Sequence, residues 1–237
     1  LIERGRLHLY DPLLMFDPRF RSLRVLHTNG KMEPAKSPIT VEHLLTHRAG
    51  FSYEFLLGCQ IAAYYRDTTL VDDGTRTLDE MMDALCEIPL AFHPGEDWRY
   101  SVATDVLAHV IERATDERAD VLLKKHIIEP LGMSETTYCL RNDQLSRLMS
   151  LYGNEELVRL PALKRGTHEL IPLDVSHSYP MQSEAFCRGG HGLYSTLNDY
   201  CAFVRMLLSG KNDAGERLLS KRTLSTMHAN RLPDGHH

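Results

Sequence analysis

The stretch PGEDWRYSVATDVLAHVIERAT, residues 94–115, lies at the centre of the fold that the sequence predicts. It opens on Pro94-Gly95, a dipeptide typical of a turn. After the turn, apolar residues recur at the spacing of one helix face: Val102, Val106, Leu107, Val110 and Ile111. This pattern predicts a helix of about four turns whose N-terminal end lies at Tyr100-Ser101.

Capping signals predict further helices on both sides of this stretch. Thr40 precedes a short helix over residues 41–47, which Gly50 would end in a left-handed conformation. Residues 77–80, TLDE, have the spacing of a capping box and begin a helix that runs until Pro89. Three more helices are expected downstream: one capped by Asp120, one over residues 200–208 ended by Gly210, and one capped by Ser220.

Strand signals are fewer and shorter. Residues 22–28, SLRVLHT, alternate in part and are followed by Asn29-Gly30, so they predict a strand and a tight turn. Residues 141–186 contain repeated proline and glycine breakers and predict a short strand or two in a long excursion. The pattern as a whole favours a helix-rich α+β fold.

Composition excludes several classes of protein. The chain has 237 residues, 43% of them hydrophobic and 25% charged, with a formal net charge of -5. No apolar run approaches the roughly 20 residues of a transmembrane helix, and a basic excess suited to nucleic acid is absent. The five cysteines form no C-x-x-C pair, which argues against a zinc ribbon or a redox dithiol. We leave the compartment open between cytoplasm and periplasm, and the oligomeric state open as well.

Local motifs alone identify no catalytic centre. His43 and His47 have the i, i+4 spacing of a metal-binding helix, but Leu44 stands where a zincin has its glutamate, so we favour capping or partly buried histidines. The patterns G-x-S-x-G and Ser-x-x-Lys do not occur. Residues 189–192, GGHG, lack the spacing of a phosphate-binding loop and are explained by a tight turn before a helix.

Four segments nevertheless resemble segments of one family, and they occur in the same order. They are HLLTHRAGF at 43–51, PGEDWRYS at 94–101, EPLGM at 129–133 and GGHGLYST at 189–196. They are similar to segments of the serine β-lactamase-like hydrolases, the superfamily of class C β-lactamases, penicillin-binding proteins and related carboxylesterases. Because the order and spacing are kept over most of the chain, we identify the sequence as a member of this superfamily.

The resemblance implies a β-lactamase/transpeptidase-like fold, in which an antiparallel sheet flanked by helices lies beside a helical region, with the active site in the cleft between them. Residues 39–147 would form the mostly helical region, and residues 1–38 and 148–237 the partial sheet side. We expect an incomplete sheet, because the sequence is expected to be cut within the fold at both ends.

The resemblance also implies which catalytic parts to look for. The family's Ser-x-x-Lys nucleophile would lie upstream of Leu1, and its third motif, of Lys-Thr-Gly, His-x-Gly or Trp-Gly-Gly type, beyond His237. We therefore expect the 237-residue chain by itself to be inactive even where its parent is an enzyme. No cofactor or metal is implied.

Tyr100-Ser101-Val102 matches the family's Tyr-x-Asn motif, which implies that Tyr100 is the general base and that Ser101 and Val102 border the substrate. A tyrosine, with a reference pKa of about 10, can take a proton only if a nearby ammonium group stabilises its phenolate, which in the family is the lysine. From the residues alone, a tyrosine two positions after Trp98 would instead be core packing with its hydroxyl at the edge.

Val102 is the departure that bears on the substrate. An asparagine amide can bond to a β-lactam or peptide amide, whereas valine can neither donate nor accept. The run from Tyr100 to Leu107 also resembles the carboxylesterase branch, often called family VIII. We therefore expect an esterase acting on small or medium esters through an acyl-enzyme. The alternatives are a β-lactamase or D-amino-acid peptidase, and a non-catalytic member that binds a ligand in the cleft.

Overall fold

The fold of the chain is helix-rich with small antiparallel sheets, as predicted. The computed structural model describes residues 1–56, 60–71, 74–153, 170–183 and 187–232. The helices of these residues are α1 (Val41–Leu45), α2 (Gln60–Asp67), α3 (Leu78–Cys86), α4 (Ala103–Thr115), α5 (Ala119–Leu123), α6 (Asn142–Leu145), α7 (Leu197–Ser209) and α8 (Lys221–His228). The strands are β1 (Arg24–Leu26), β2 (Met32–Pro34), β3 (Tyr152–Gly153) and β4 (Ile171–Pro172). Short 3-10 helices cover Ile2–Arg4, Leu13–Met15 and Pro18–Ser22, and a π-helical turn, Lys124–Ile128, continues α5.

Side-chain caps begin four of the helices. Thr40 accepts a hydrogen bond from the amide of His43, and Thr77 accepts one from the amide of Glu80, each within a capping box. Thr196 and Ser220 cap α7 and α8 in the same way. These hydroxyls satisfy amides that have no partner inside the helix, so the predicted starts of α1, α3 and α8 are confirmed.

Two predicted helix ends are wrong. The helix expected over residues 41–47 stops at Leu45, and His47 adopts a left-handed φ of 54°. Asp120 does not cap α5, which begins after Arg118, because the Asp120 carboxylate is held by the Arg118 guanidinium at 2.9 Å. Gly50 does have a positive φ of 91°, but its role is to let two chain segments approach, since a Cβ there would lie 2.5 Å from the Phe92 carbonyl oxygen.

The predicted hairpin forms and is extended by a third segment. β1 pairs antiparallel with β2, with Val25 opposite Glu33, around a turn in which Gly30 has a φ of 81°. On the other edge of β1, the amide of Leu26 donates to the carbonyl of Leu90 at 2.9 Å, and the Leu90 amide donates to Arg24 at 2.7 Å. The hairpin is thus attached to the segment that leads into Pro94.

The main core surrounds α4, which packs on α1 and α3. Its fully buried members come from the first half of the chain: Leu13, Val25, Leu44, Met81, Met82, Leu85, Leu90, Val102, Val106 and Val110. Because every turn of α4 contributes to this cluster, the first residues of α4 are fixed in position by packing.

A buried charged cluster ties α4 to the N-terminal segment. Asp17 caps the 3-10 helix Pro18–Ser22, accepts from Arg19, and lies 2.8 Å from His109 on α4. Arg19 also contacts Asp79 and Asp83 on α3. This cluster joins three elements at one point.

A smaller cluster in the second half of the chain packs against α7. Met206 on α7 buries against Leu131 and Met133, and Asp199 accepts hydrogen bonds from Glu135 and Thr136. β3 and β4 form the short strand pair expected within residues 141–186, whereas the breakers expected at Pro161 and Gly166 lie outside the described residues. No helix in the described ranges has the length and apolar character to cross a membrane.

Candidate active site

Tyr100 lies at the entrance to α4, on a backbone segment held along its length by residues 47–52. The amide of Gly95 donates to the Arg48 carbonyl at 2.9 Å, and the amide of Arg99 donates to the His47 carbonyl at 3.0 Å. Immediately after Tyr100, the amide of Val102 donates to the Ser52 carbonyl at 3.3 Å. The backbone is therefore anchored on both sides of Tyr100.

The Tyr100 ring is 46% exposed and borders a cluster of aromatic rings. Its centroid lies 5.1 Å from the His47 ring, 5.1 Å from Tyr53 and 6.4 Å from Phe55. Tyr53 and Phe55 are stacked at 4.9 Å. Rings at such distances attract one another beyond their apolar burial, so the position of the Tyr100 side chain is supported while part of it remains open to solvent.

Ser101 and Val102 are buried behind Tyr100. Their exposed fractions are 1% and 0%, and Val102 belongs to the core cluster under α4. Of the three predicted site residues, which are consecutive in sequence, only Tyr100 therefore lies at the surface. The side chain at position 102 has no hydrogen-bonding group.

Ser101 and His47 form a serine–histidine contact, with Ser101 Oγ 3.2 Å from His47 Nδ1. Burial lowers the pKa of His47, which favours the neutral imidazole. A nucleophile needs access to substrate, and Ser101 is buried. The contact ties the Tyr100 segment to residues 47–52.

The two histidines weighed as metal ligands do not share a helix face. His43 lies in α1, where its Nδ1 accepts from the Thr40 amide at 3.2 Å, whereas His47 lies beyond the end of α1. His43 is thus a capping residue, as its alternative interpretation predicted.

The glycine-rich segment docks on the first turn of α4. Asp105 accepts a hydrogen bond from the Gly190 amide at 3.1 Å. A Cβ on Gly189 would collide with the carbonyl oxygen of Thr104, and one on Gly190 would lie 3.2 Å from Asp105 Oδ2 and 3.3 Å from the Tyr53 hydroxyl. Glycine at both positions lets the segment reach the floor of the aromatic cluster.

Asp105 is buried beneath this junction. Burial raises the pKa of its carboxyl, while His191, the Gly190 amide and Arg188 act in the opposite direction. Burial also raises the pKa of Tyr53, as do the nearby Asp105 and Tyr100. Tyr53 therefore remains a neutral hydroxyl at ordinary pH.

The arrangement presents the partly exposed phenol of Tyr100 above the buried residues Tyr53 and Asp105. Tyr53, Phe55 and Asp105 were not predicted as part of it. The signals in the sequence were HLLTHRAGF, which contains the ring partner His47, the motif around Tyr100, and GGHG. An accessible phenol anchored in this way suits proton transfer at a bound substrate.

Comparison with known proteins identifies the family of the chain. A model of the Beta-lactamase family matches residues 1–236. Protein Rv1367c of Mycobacterium tuberculosis (strain ATCC 25618 / H37Rv) is 30% identical over 238 residues, covering 99% of this chain and 56% of that protein. Esterase EstB of Burkholderia gladioli is 30% identical over 212 residues, covering 84% of this chain and 50% of EstB. The chain therefore spans about half the length of these curated relatives.

A solved structure supports the same fold. The unliganded simvastatin synthase LovD of Aspergillus terreus, as its selenomethionyl derivative, matches with a TM-score of 0.74 at 24% identity, over 98% of this chain and 55% of LovD. The predicted β-lactamase/transpeptidase-like fold is confirmed by this match and by the family model. With the family model covering residues 1–236, the chain belongs to the Beta-lactamase family.

Proposed function

We propose that the protein is a carboxylesterase that hydrolyses small or medium esters through an acyl-enzyme, with Tyr100 as the general base. The nucleophile would be a serine in a Ser-x-x-Lys motif, as in the family, and its lysine would stabilise the Tyr100 phenolate. Tyr100 would take the serine proton during acylation and would later activate water for deacylation.

This proposal rests on the exposure of Tyr100 and on the contacts that hold it in position. It is a 46% exposed phenol whose backbone is anchored by hydrogen bonds at Arg99 and Val102 and whose ring is supported by three neighbouring rings. Tyr53, in the same cluster of rings, is buried at 5% exposure, whereas Tyr100 keeps almost half of its surface accessible. An anchored side chain also loses little conformational entropy when it aligns with a substrate.

The buried Val102 supports esters as the substrate class. From its buried position behind Tyr100, the valine side chain offers no donor or acceptor to an amide substrate, and a missing hydrogen bond costs about 0.5–1.5 kcal/mol, more if the amide is left buried and unpaired. An ester lacks the N–H that would need this partner. The 30% identity to a protein named esterase EstB agrees with this choice.

The test is a Tyr100→Phe variant of the complete gene product, assayed with p-nitrophenyl butyrate. Because general bases contribute roughly 10²–10⁴-fold, kcat should fall by at least about a hundredfold. A Tyr200→Phe variant changes an exposed tyrosine on α7 in the same way and serves as the matched control. A Tyr100→Phe enzyme that keeps more than a tenth of the wild-type kcat would rule out the base role.

Two further measurements separate the alternatives. A higher kcat/KM on nitrocefin than on the short-chain ester would favour a β-lactamase. Incubation with a fluorophosphonate probe and mapping of the labelled serine would decide whether the protein is catalytic at all. Absence of labelling in the complete gene product would instead favour a ligand-binding member of the family.

A further inference from the structure

Two histidines and a glutamate converge beside the β1–β2 hairpin, away from the Tyr100 cluster. Glu33 Oε1 lies 3.0 Å from His27 Nε2 and 3.0 Å from His93 Nε2. One possible ligand atom from each of the three side chains lies within 4.8 Å of the other two. Two imidazoles thus approach one carboxylate oxygen from different chain segments.

The fold creates this convergence from residues that are far apart in sequence. His27 follows β1, Glu33 lies in β2, and the hairpin turn brings them together. His93 arrives from the other edge of β1, because Leu90 is hydrogen-bonded to Arg24 and Leu26. Each residue is therefore carried by a separate part of one small, hydrogen-bonded unit.

The geometry at His27 Nε2 indicates a ligand other than the Glu33 carboxylate. His27 Nε2 is buried and has no hydrogen-bond partner, although Glu33 Oε1 is 3.0 Å away, because the two groups are not aligned for a hydrogen bond. An ion coordinated by both groups needs no such alignment between them. Two ligands of a tetrahedral zinc ion, each at about 2.0–2.1 Å from the metal, lie roughly 3.3 Å apart, close to the separations seen here.

A neighbouring lysine orients the Glu33 carboxylate for metal binding. Lys31 binds the other oxygen of Glu33 at 3.0 Å, which orients the carboxylate and leaves Oε1 toward the histidines. An oriented carboxylate with two imidazoles is a donor set that zinc and similar divalent transition metals prefer.

We propose that His27, Glu33 and His93 bind one divalent transition metal ion of the zinc class, with water completing the coordination. His93 is 2% exposed and forms the floor, while His27 and Glu33 are partly exposed and leave access from solvent. The second group of metal-ligand residues in the described part, Asp17, Asp79 and His109, differs because the Arg19 guanidinium already binds both carboxylates. This proposal does not depend on the proposed esterase activity.

Metal binding would require one local rearrangement. The Lys36 amide donates to His93 Nδ1 at 3.3 Å, so in the absence of metal the His93 proton lies on Nε2. Coordination through Nε2 moves that proton to Nδ1, and the long hydrogen bond from Lys36 is lost.

A bound ion would fix the hairpin to the segment that continues into Pro94. Because an ion that binds only the folded state stabilises it by mass action, the melting temperature should rise with metal concentration. The ion would have a structural role in this account, since the Tyr100 cluster is built from other residues.

The experiment measures metal binding to the complete gene product after removal of metals with a chelator. Titration with Co²⁺, followed through its visible d–d bands, and competition by Zn²⁺ should reveal one site. His27→Gln and Glu33→Gln should each weaken that site by more than about tenfold, since loss of even an outer partner of a metal ligand costs 10–100-fold. His27 is partly exposed, so its variant should fold, which a circular dichroism spectrum and a melting curve would verify.

A His228→Gln variant is the matched control, because it removes an exposed histidine from the end of α8 and should leave the site unchanged. The chain has 13 histidines, so binding that survives in both His27→Gln and Glu33→Gln would come from other residues and would overturn the proposal. Failure of the wild-type protein to bind Co²⁺ or Zn²⁺ would overturn it as well.

Discussion

Replacing Asp17 with alanine should destabilise the protein far more than replacing Asp79, although both carboxylates bind the same guanidinium. Asp17 caps a 3-10 helix by accepting from the Arg19 amide at 2.9 Å, and it lies 2.8 Å from His109 Nε2. Loss of the cap costs about 1 kcal/mol. Leaving the His109 nitrogen buried without a partner costs a further ~1–3 kcal/mol.

The expected loss for Asp17→Ala is therefore about 2–4 kcal/mol of unfolding free energy at neutral pH. The Asp79 side chain is 64% exposed, so its contact with Arg19 is a surface ion pair and Asp79→Ala should cost less than about 1 kcal/mol. Urea denaturation of the complete gene product, with both variants measured at constant ionic strength, gives the two values.

The pH dependence provides an independent check of the same cluster. Burial acts to raise the pKa of Asp17, but hydrogen bonds from Arg19 and His109, with the Arg19 charge, outweigh it and hold that pKa well below its usual value. A carboxyl whose folded pKa is depressed adds stability above its unfolded pKa, about 3.9, and loses it as pH falls toward the folded value. The gap between wild type and Asp17→Ala should thus be constant at neutral pH and shrink in acid below about pH 4. Equal destabilisation by the two variants, or a gap that acid leaves unchanged, would refute this account.

Two further predictions concern the reactivity of the cysteines and the packing of the glycine-rich segment. Burial raises the pKa of Cys86 and of Cys187 to about 12, so little thiolate forms, whereas Cys201 is exposed on α7. A thiol reagent at pH 8 should therefore modify Cys201 first, and Cys86 and Cys187 only after unfolding. Mass mapping that finds Cys187 modified as fast as Cys201 would contradict the packing. Gly189→Ala should lower thermal stability, at a cost of about 1–3 kcal/mol, because its Cβ would collide with the Thr104 carbonyl oxygen. In the function proposed above, it should also lower the turnover of p-nitrophenyl butyrate. An unchanged melting temperature would show that the glycine segment does not dock on α4 as described.

Local chemistry explains why parts of the fold were predictable. The Thr77 cap, the Asn29-Gly30 turn and the apolar stripe of α4 each act within a few residues, and each appears where the sequence predicts it. Asp120 was misjudged because its carboxylate had two available partners, the helix amides and the Arg118 guanidinium, and pattern alone does not rank them.

The candidate site was predictable only in part. Tyr100 was identified through the resemblance of its segment to a family motif. Its ring partner Tyr53 comes from a distant part of the sequence, and the left-handed φ of 54° at His47, another ring partner, has no signal in the sequence. The grouping of His27, Glu33 and His93 depends on strand pairing across 60 or more residues and was outside the reach of spacing arguments.

The burial of Val102 changes how its chemistry should be understood. An exposed valine would merely line the cleft, whereas a valine at 0% exposure contributes apolar contacts to the core that fixes the start of α4. An asparagine at the same depth would bring an amide into this core, and such a group costs about 1–3 kcal/mol unless it finds a hydrogen-bond partner. The side chain that packs behind Tyr100 is thus also one that offers no hydrogen bond to an amide. In the function proposed above, the anchoring of Tyr100 and the preference for esters over amides would have the same physical origin.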